Sequence, residues 1–171
     1  MSKKALIYLW TGHGYGKSTS AFGTALRAIG QGKRVICIEF MKGRTYTGEY
    51  KFSKKHKNFE MYLFGRPGWV NLKKPSKADK KRAKHGLEFA RNIYKKKKPF
   101  LLILDEINLA CKIGLLKTKD VIDFLDEITT PTRVYITGRE APASLKKRAD
   151  YVNIIINTKK KKVPASKGIE Y

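Results

Sequence analysis

The sequence predicts an α/β fold, a mostly parallel sheet with helices on both faces. Three observations carry that prediction. Short apolar runs alternate with amphipathic stretches along the whole chain, the order that strand–helix–strand units require. Several of the runs are apolar without a break, as strands covered on both faces are. Residues able to do chemistry fall where the runs end, and ligands bind beyond the carboxyl ends of strands in such sheets.

Ala5–Trp10 is the first apolar run, read as covered on both faces, and a glycine-rich turn follows it. Ser18–Gln31 reads as a helix, with Phe22, Leu26 and Ile29 at i, i+4, i+7 facing inward and Gly30 and Gly32 ending it. Val35–Met41 is a second strand. The polar stretch Lys42–Lys57, with Gly43 and Gly48, reads as a loop. Phe59–Phe64 is a third strand, closed by the turn signal Gly65-Arg66-Pro67-Gly68.

Ser76 to about Lys95 is a long amphipathic helix. Ser76 and Asp79 fit a capping box, and Ala83, Leu87, Ala90 and Tyr94 line one face opposite Lys and Arg. Phe100–Leu104 is a fully apolar strand ending at Asp105-Glu106, and a helical stretch follows. Thr118–Ile128 is a helix with Val121, Leu125 and Ile128 inward. Arg133–Thr137 is a strand ending at Gly138-Arg139. Ala141-Pro142 opens a short helix, and Tyr151–Ile156 is the last strand. Only Lys95–Lys98 and Lys159–Lys162 are of low complexity.

At 171 residues the chain fits one domain, spanning 1–171, able to bury about 70% of its unfolded surface. An apolar share of 42% excludes a disordered chain even at 30% charged. The net charge of +24 attracts polyanions. The cations are 29 Lys and nine Arg, which suits diffuse charge better than base reading. Cys37 and Cys111 form no CxxC or Cys/His cluster, which argues against zinc, and free thiols suit a reducing compartment. No run approaches the roughly 18 apolar residues of a membrane span, and the first run is too short for a signal peptide. The expectation is a cytoplasmic protein without a membrane.

Thr11-Gly12-His13-Gly14-Tyr15-Gly16-Lys17-Ser18-Thr19 lies between a buried strand and a helix, the context of a phosphate-binding loop. Glycines let backbone N–H groups turn inward on an anion, and the helix adds its positive end. Lys17 would neutralise phosphate and the Ser18 hydroxyl would hold Mg²⁺. Thr11 stands where the general pattern has glycine. At the next strand tip, Asp105 or Glu106 is suited to the same metal, directly or through water, although Asp105 also fits a helix cap. Together these predict a P-loop NTPase (RecA-like) sheet. His13, His56 and His85 share no ligand spacing. Trp69 is placed to stack on a flat ligand or to pack as an ordinary aromatic.

Further stretches are Ala21-Phe22-Gly23-Thr24-Ala25-Leu26-Arg27-Ala28-Ile29-Gly30, Glu39-Phe40-Met41-Lys42-Gly43 and Thr137-Gly138-Arg139-Glu140-Ala141-Pro142. With Asp105-Glu106-Ile107, Gly114-Leu115-Leu116 and the terminal Lys167-Gly168-Ile169-Glu170-Tyr171, the set resembles the ATP:corrinoid adenosyltransferases of cobalamin synthesis and salvage, from about Ile7 to Tyr171. The resemblance implies that a corrinoid cobalt reduced to Co(I), in cobalamin or a cobyrinic or cobinamide precursor, attacks the 5′-carbon of ATP. Triphosphate leaves and adenosylcobalamin forms. Family members bind ATP reversed relative to other P-loops.

By position the resemblance assigns ATP and its phosphates to Lys17 and the loop from Gly12 to Thr19, with Arg27 and Arg139 as further cations. It assigns Mg²⁺ to Ser18 and Glu106 with Asp105 in support, makes Lys17 and Glu106 the catalytic pair, and gives the corrinoid to Trp69. It implies a reductase or flavoprotein electron donor and a possible homodimer. The chain departs from the family at Glu39, usually Gln. It departs again at Pro67, where a Phe helps remove the cobalt's lower ligand, and in a shortened stretch around Lys159–Lys162 and Val163-Pro164. The competing readings are a P-loop ATPase acting on nucleic acid, for which no recognisable module is present, a small-molecule kinase, and a nucleotide-binding regulator without catalysis.

Overall fold

The computed structural model describes residues 3–159 and 164–169. Lys160, Lys161, Lys162, Val163, Glu170 and Tyr171, which the sequence reading used, lie outside the described residues. The strands are β1 (Leu6–Thr11), β2 (Val35–Lys42), β3 (Phe59–Arg66), β4 (Leu101–Asp105), β5 (Arg133–Thr137) and β6 (Tyr151–Ile154). They form one sheet in the order β3-β2-β4-β5-β1-β6, and every pairing is parallel. The helices are α1 (Lys17–Gly30), α2 (Gly48–Ser53), α3 (Lys77–Lys97), α4 (Ile107–Lys112), α5 (Thr118–Glu127) and α6 (Ala143–Arg148). The chain leaves β1 and returns three strands away in β2, so the carboxyl ends of β1, β4 and β5 open on the crevice where the strand order switches.

The two faces of the sheet are covered unequally. One carries α3 to α6, and Leu87, Phe124, Leu125 and Leu145 pack there against Ile7, Leu9, Ile38, Leu104 and Ile136. The capping box that starts α3 is complete: Asp79 N–H donates to Ser76 Oγ at 3.1 Å and Ser76 N–H to Asp79 Oδ2 at 3.2 Å. The other face carries α1, with α2 beside it. Here the structure corrects two sequence expectations. The inward stripe of α1 is Ala21, Ala25, Ala28 and Ile29, whereas Leu26 is 64% exposed. The helical period was right but the phase was not, because small alanines let α1 lie close to the sheet. Nor is β1 covered on both faces: Tyr8 and Trp10 are only half-buried, and Tyr8, Trp10, Tyr135 and Tyr151 stack in a row with ring centres 4.6–4.8 Å apart.

Three further expectations change. The stretch read as a loop, Lys42–Lys57, begins inside β2 and contains α2. Gly65-Arg66, read as a turn, extends β3, because Gly65 lets the backbone of Met41 and Lys42 pass so near that a Cβ would overlap it. Tyr151–Ile156 is a strand only to Ile154, and all four strand residues are exposed at the sheet edge.

Candidate active site

The phosphate loop joins β1 to α1 and lies at the crevice. Gly12 and Gly16 hold φ values of 97° and 103°, a region that glycine alone enters freely. His13 and Tyr15 project to solvent, so the loop works through its backbone. Two of its amides are already engaged. Gly14 N–H donates to the Ile155 carbonyl at 2.8 Å, and Tyr15 N–H donates to Asn157 Oδ1 at 3.2 Å. A Cβ on Gly12 would overlap the Ile155 carbonyl, and one on Gly14 would come within 2.8 Å of Ile155. These glycines therefore serve the approach of the segment after β6 as well as the turn. The amides where α1 begins, at Gly16 to Thr19, stand at the helix's positive end, which suits an anion. Thr11, in place of the pattern's glycine, is buried and its hydroxyl accepts from Ala141 N–H at 3.0 Å, tying β1 to the segment after β5.

Lys17 Nζ donates to the Gly14 carbonyl at 2.5 Å. Burial lowers its pKa, opposed by Glu106, with Arg139 adding to the decrease. Asp105 ends β4 fully buried and accepts from Thr137 Oγ1 and from Lys42 Nζ, each at 2.6 Å. Burial works against its ionisation, but the Lys42 charge and hydrogen bonds from Lys42, Thr137 and Ser18 hold its pKa below the usual range. Glu106 sits at φ 61°, a conformation costing about 1 kcal/mol or more outside glycine. Its N–H donates to Thr137 Oγ1 at 3.1 Å, which helps hold that strain. Burial and Asp105 raise its carboxyl, and Oε2 is buried with no hydrogen-bond partner.

A cavity of about 430 Å³, in the range of small-molecule sites, opens from this cluster. Lys42, Glu106 and Arg139 line its inner end, and Arg44, Trp69, Val70 and Leu72 line its outer end. Trp69 is 79% exposed, with the Arg44 guanidinium 4.4 Å from its ring centre. The Arg66 guanidinium donates to the Trp69 carbonyl and lies 3.7 Å from Asp79.

The structure thus brings together Lys17, Ser18, Asp105, Glu106, Arg139 and Trp69 around one crevice. It does not bring Arg27 there. That residue lies exposed in the last turn of α1, about 15 Å along the helix from Lys17 at 1.5 Å per residue. Its assignment to ATP is therefore corrected. Sequence reasoning missed Lys42, Arg44, Arg66 and Thr137. The first three lie in stretches read as loop or turn, and Thr137 acts through Asp105, a contact between separate strands.

The sequence model of the family described as ATP:corrinoid adenosyltransferase BtuR/CobO/CobP matches residues 3–171. The chain belongs to this family. A corrinoid adenosyltransferase of a Sinorhizobium species is 31% identical over 99% of this chain and 81% of its own length. That of Pseudomonas aeruginosa is 28% identical over 99% of this chain and 85% of its own. The flagellar accessory protein FlaH of Methanocaldococcus jannaschii superposes with a TM-score of 0.56 over 90% of this chain and 72% of its own, at 12% identity, a likeness of fold. The chain is therefore a corrinoid adenosyltransferase of the P-loop fold, acting in general on ATP and a corrinoid. Among the described residues no helix is long and apolar enough to cross a membrane.

Glu39 is a further buried carboxyl beside Lys42. The side chain is 1% exposed, and burial pushes its carboxyl up to about 8 against the pull of Lys42, with Asp105 adding to the rise. Below that pH it carries a proton and offers both a donor and an acceptor, as a neutral glutamine side chain would.

Proposed function

We propose that the chain moves the 5′-deoxyadenosyl group of ATP to the cobalt of a corrinoid reduced to Co(I). The cobalt electron pair forms the Co–C5′ bond, the C5′–O5′ bond breaks, and its electrons leave with inorganic triphosphate. One observation carries this reading: a single cavity is lined by Lys42, Glu106 and Arg139 and by the exposed Trp69, and Lys42 reaches from it to Ser18 of the phosphate loop, 3.4 Å away. A highly charged leaving group needs such cations, since charge develops on it as the bond breaks. Lys17 and Arg139 would supply the charge, and the amides from Gly16 to Thr19 would add neutral donors.

Ser18 and Glu106 would hold Mg²⁺, with Asp105 in support, and the unpartnered Glu106 Oε2 suits a hard cation. Bound there, the ion would neutralise phosphate oxygens. Among the described residues no three His, Cys, Asp or Glu group together as a metal cage. That agrees with an ion that takes most of its ligands from nucleotide and water. The nucleophile is the substrate's own metal, so no general base is required. Trp69 would lie against the corrin. A reductase or flavoprotein would supply Co(I), and the 171 residues would act as one domain, alone or as a homodimer.

The test is anaerobic incubation of the protein with MgATP, cobalamin and a strong reductant, followed by phosphorus NMR. Triphosphate with a light-sensitive corrinoid product is expected. ADP or phosphate, released faster with DNA or RNA, would favour the nucleic-acid ATPase instead.

A further inference from the structure

Lys42 is the last residue of β2, and its side chain reaches across the sheet to the tip of β4. Its ammonium lies 2.6 Å from Asp105 Oδ2, 3.4 Å from Ser18 Oγ, 3.5 Å from Glu39 Oε1 and 4.0 Å from Glu106 Oε1. The set contains each residue assigned to Mg²⁺ above. One cation therefore already stands where the donors of the metal converge.

We infer that Lys42 is the resident cation of the metal site, occupying in the nucleotide-free protein the position a divalent ion takes, so that the two exclude each other. The inference rests on the assignment of the metal to Ser18, Asp105 and Glu106. Its physical basis is an incomplete match between ammonium and donors. Lys42 satisfies Asp105, yet Glu39 Oε1 and Glu106 Oε2 stay buried without a hydrogen-bond partner. An unpaired buried carboxyl oxygen is costly whether or not the group is ionised, and a divalent ion with a flexible oxygen shell can satisfy several at once. An ammonium has only three donors and a fixed tetrahedral reach.

The exchange has a use. Without an ion, Lys42 keeps several carboxyl groups from repelling one another at the end of a buried strand. Burial opposes its charge, but Asp105, Glu39 and Glu106 outweigh that and keep it protonated. Its side chain is still 36% exposed and opens on the cavity. Displaced, the ammonium can move into the cavity it already opens on, which Arg139 also lines. Lys42 is thus a positioning residue in the free protein and a second cation for the triphosphate once the ion is in place.

Mn²⁺ titration followed by electron paramagnetic resonance tests this, in wild-type protein and in Lys42→Gln, with neither ATP nor corrinoid present. Its outcome is thereby separate from the triphosphate assay. Removing the competing cation should tighten Mn²⁺ binding at least tenfold; equal or weaker binding in a folded variant overturns the inference. Should Lys42→Gln fail to fold, wild-type protein gives a second readout. Labelling of Lys42 by an amine-reactive reagent, measured by peptide mass spectrometry, should rise at least threefold at saturating Mn²⁺. Unchanged or reduced labelling overturns it equally.

Discussion

The inner and outer ends of the cavity are built by different means. At the inner end and in the cluster behind it each group sits within a residue or two of the end of a buried parallel strand or the start of α1: Lys42 on β2 and Glu106 after β4 line the cavity, and Thr11 on β1, Asp105 on β4, Thr137 on β5, and Lys17 and Ser18 on α1 stand behind them. Hydrogen bonds between strands lock them, notably those of Asp105 with Thr137 and Lys42. At the outer end Arg44, Trp69 and Leu72 belong to the segments that follow β2 and β3, and Trp69 is held through its carbonyl and an exposed cation–π contact. A triphosphate site needs fixed cations and dipoles, which strand ends supply. A face for a large flat substrate needs area and access, which loops supply.

That division can be broken at either end. Lys17→Ala removes a fixed cation and should lower kcat/KM for ATP by roughly 10²–10³ and weaken ATP binding; steady-state kinetics and calorimetry check this, and near wild-type values would remove the loop from the mechanism. Gly12→Ala places a methyl group on the Ile155 carbonyl at positive φ. It should cost about 2 kcal/mol or more in urea unfolding. Gly68→Ala at the outer end meets nothing within 4 Å and should change stability by less than about 0.5 kcal/mol. Equal losses would mean that the outer end is as tightly fixed as the inner.

Trp69→Ala should raise the corrinoid KM by roughly tenfold, the worth of about 1.4 kcal/mol of stacking, with ATP affinity unchanged. Glu39→Gln sharpens the inner end. A carboxyl whose pKa rises on folding from near 4.5 to about 8 makes the folded state hold more protons than the unfolded one between those values. Stability then falls as pH rises through that window, by at most about 1.4 kcal/mol per unit. The Gln variant should lose that slope and match or exceed wild-type stability at pH 8. A slope identical in both proteins would assign it to another group.

The contrast also explains what could be read in advance. Periodicity and unbroken apolar runs placed all six strands, and Gly-Lys-Ser and Asp105-Glu106 announced the inner end because strand-end chemistry is local in sequence. What stayed hidden depends on contacts between distant segments. Leu26 looked like core because apolar spacing cannot weigh three alanines against one leucine. Lys42 looked like the first residue of a loop, since nothing near it in sequence foretells a carboxylate 63 residues away. Arg27, in a helix correctly found, was assigned by charge and family pattern, and the length of α1 removes it. Arg44 and Arg66 draw their roles from Trp69, whose surroundings form only when β2 and β3 end side by side.

The central claim is that phosphate and corrinoid are held at opposite ends of one cavity, and a crossed binding measurement tests it directly. Dissociation constants for MgATP and for a corrinoid would be measured by calorimetry in wild-type protein, Lys17→Ala and Trp69→Ala. The account predicts that Lys17→Ala weakens ATP alone and Trp69→Ala weakens the corrinoid alone. If Trp69→Ala weakened ATP and spared the corrinoid, the two sites would be misplaced and the account would be wrong.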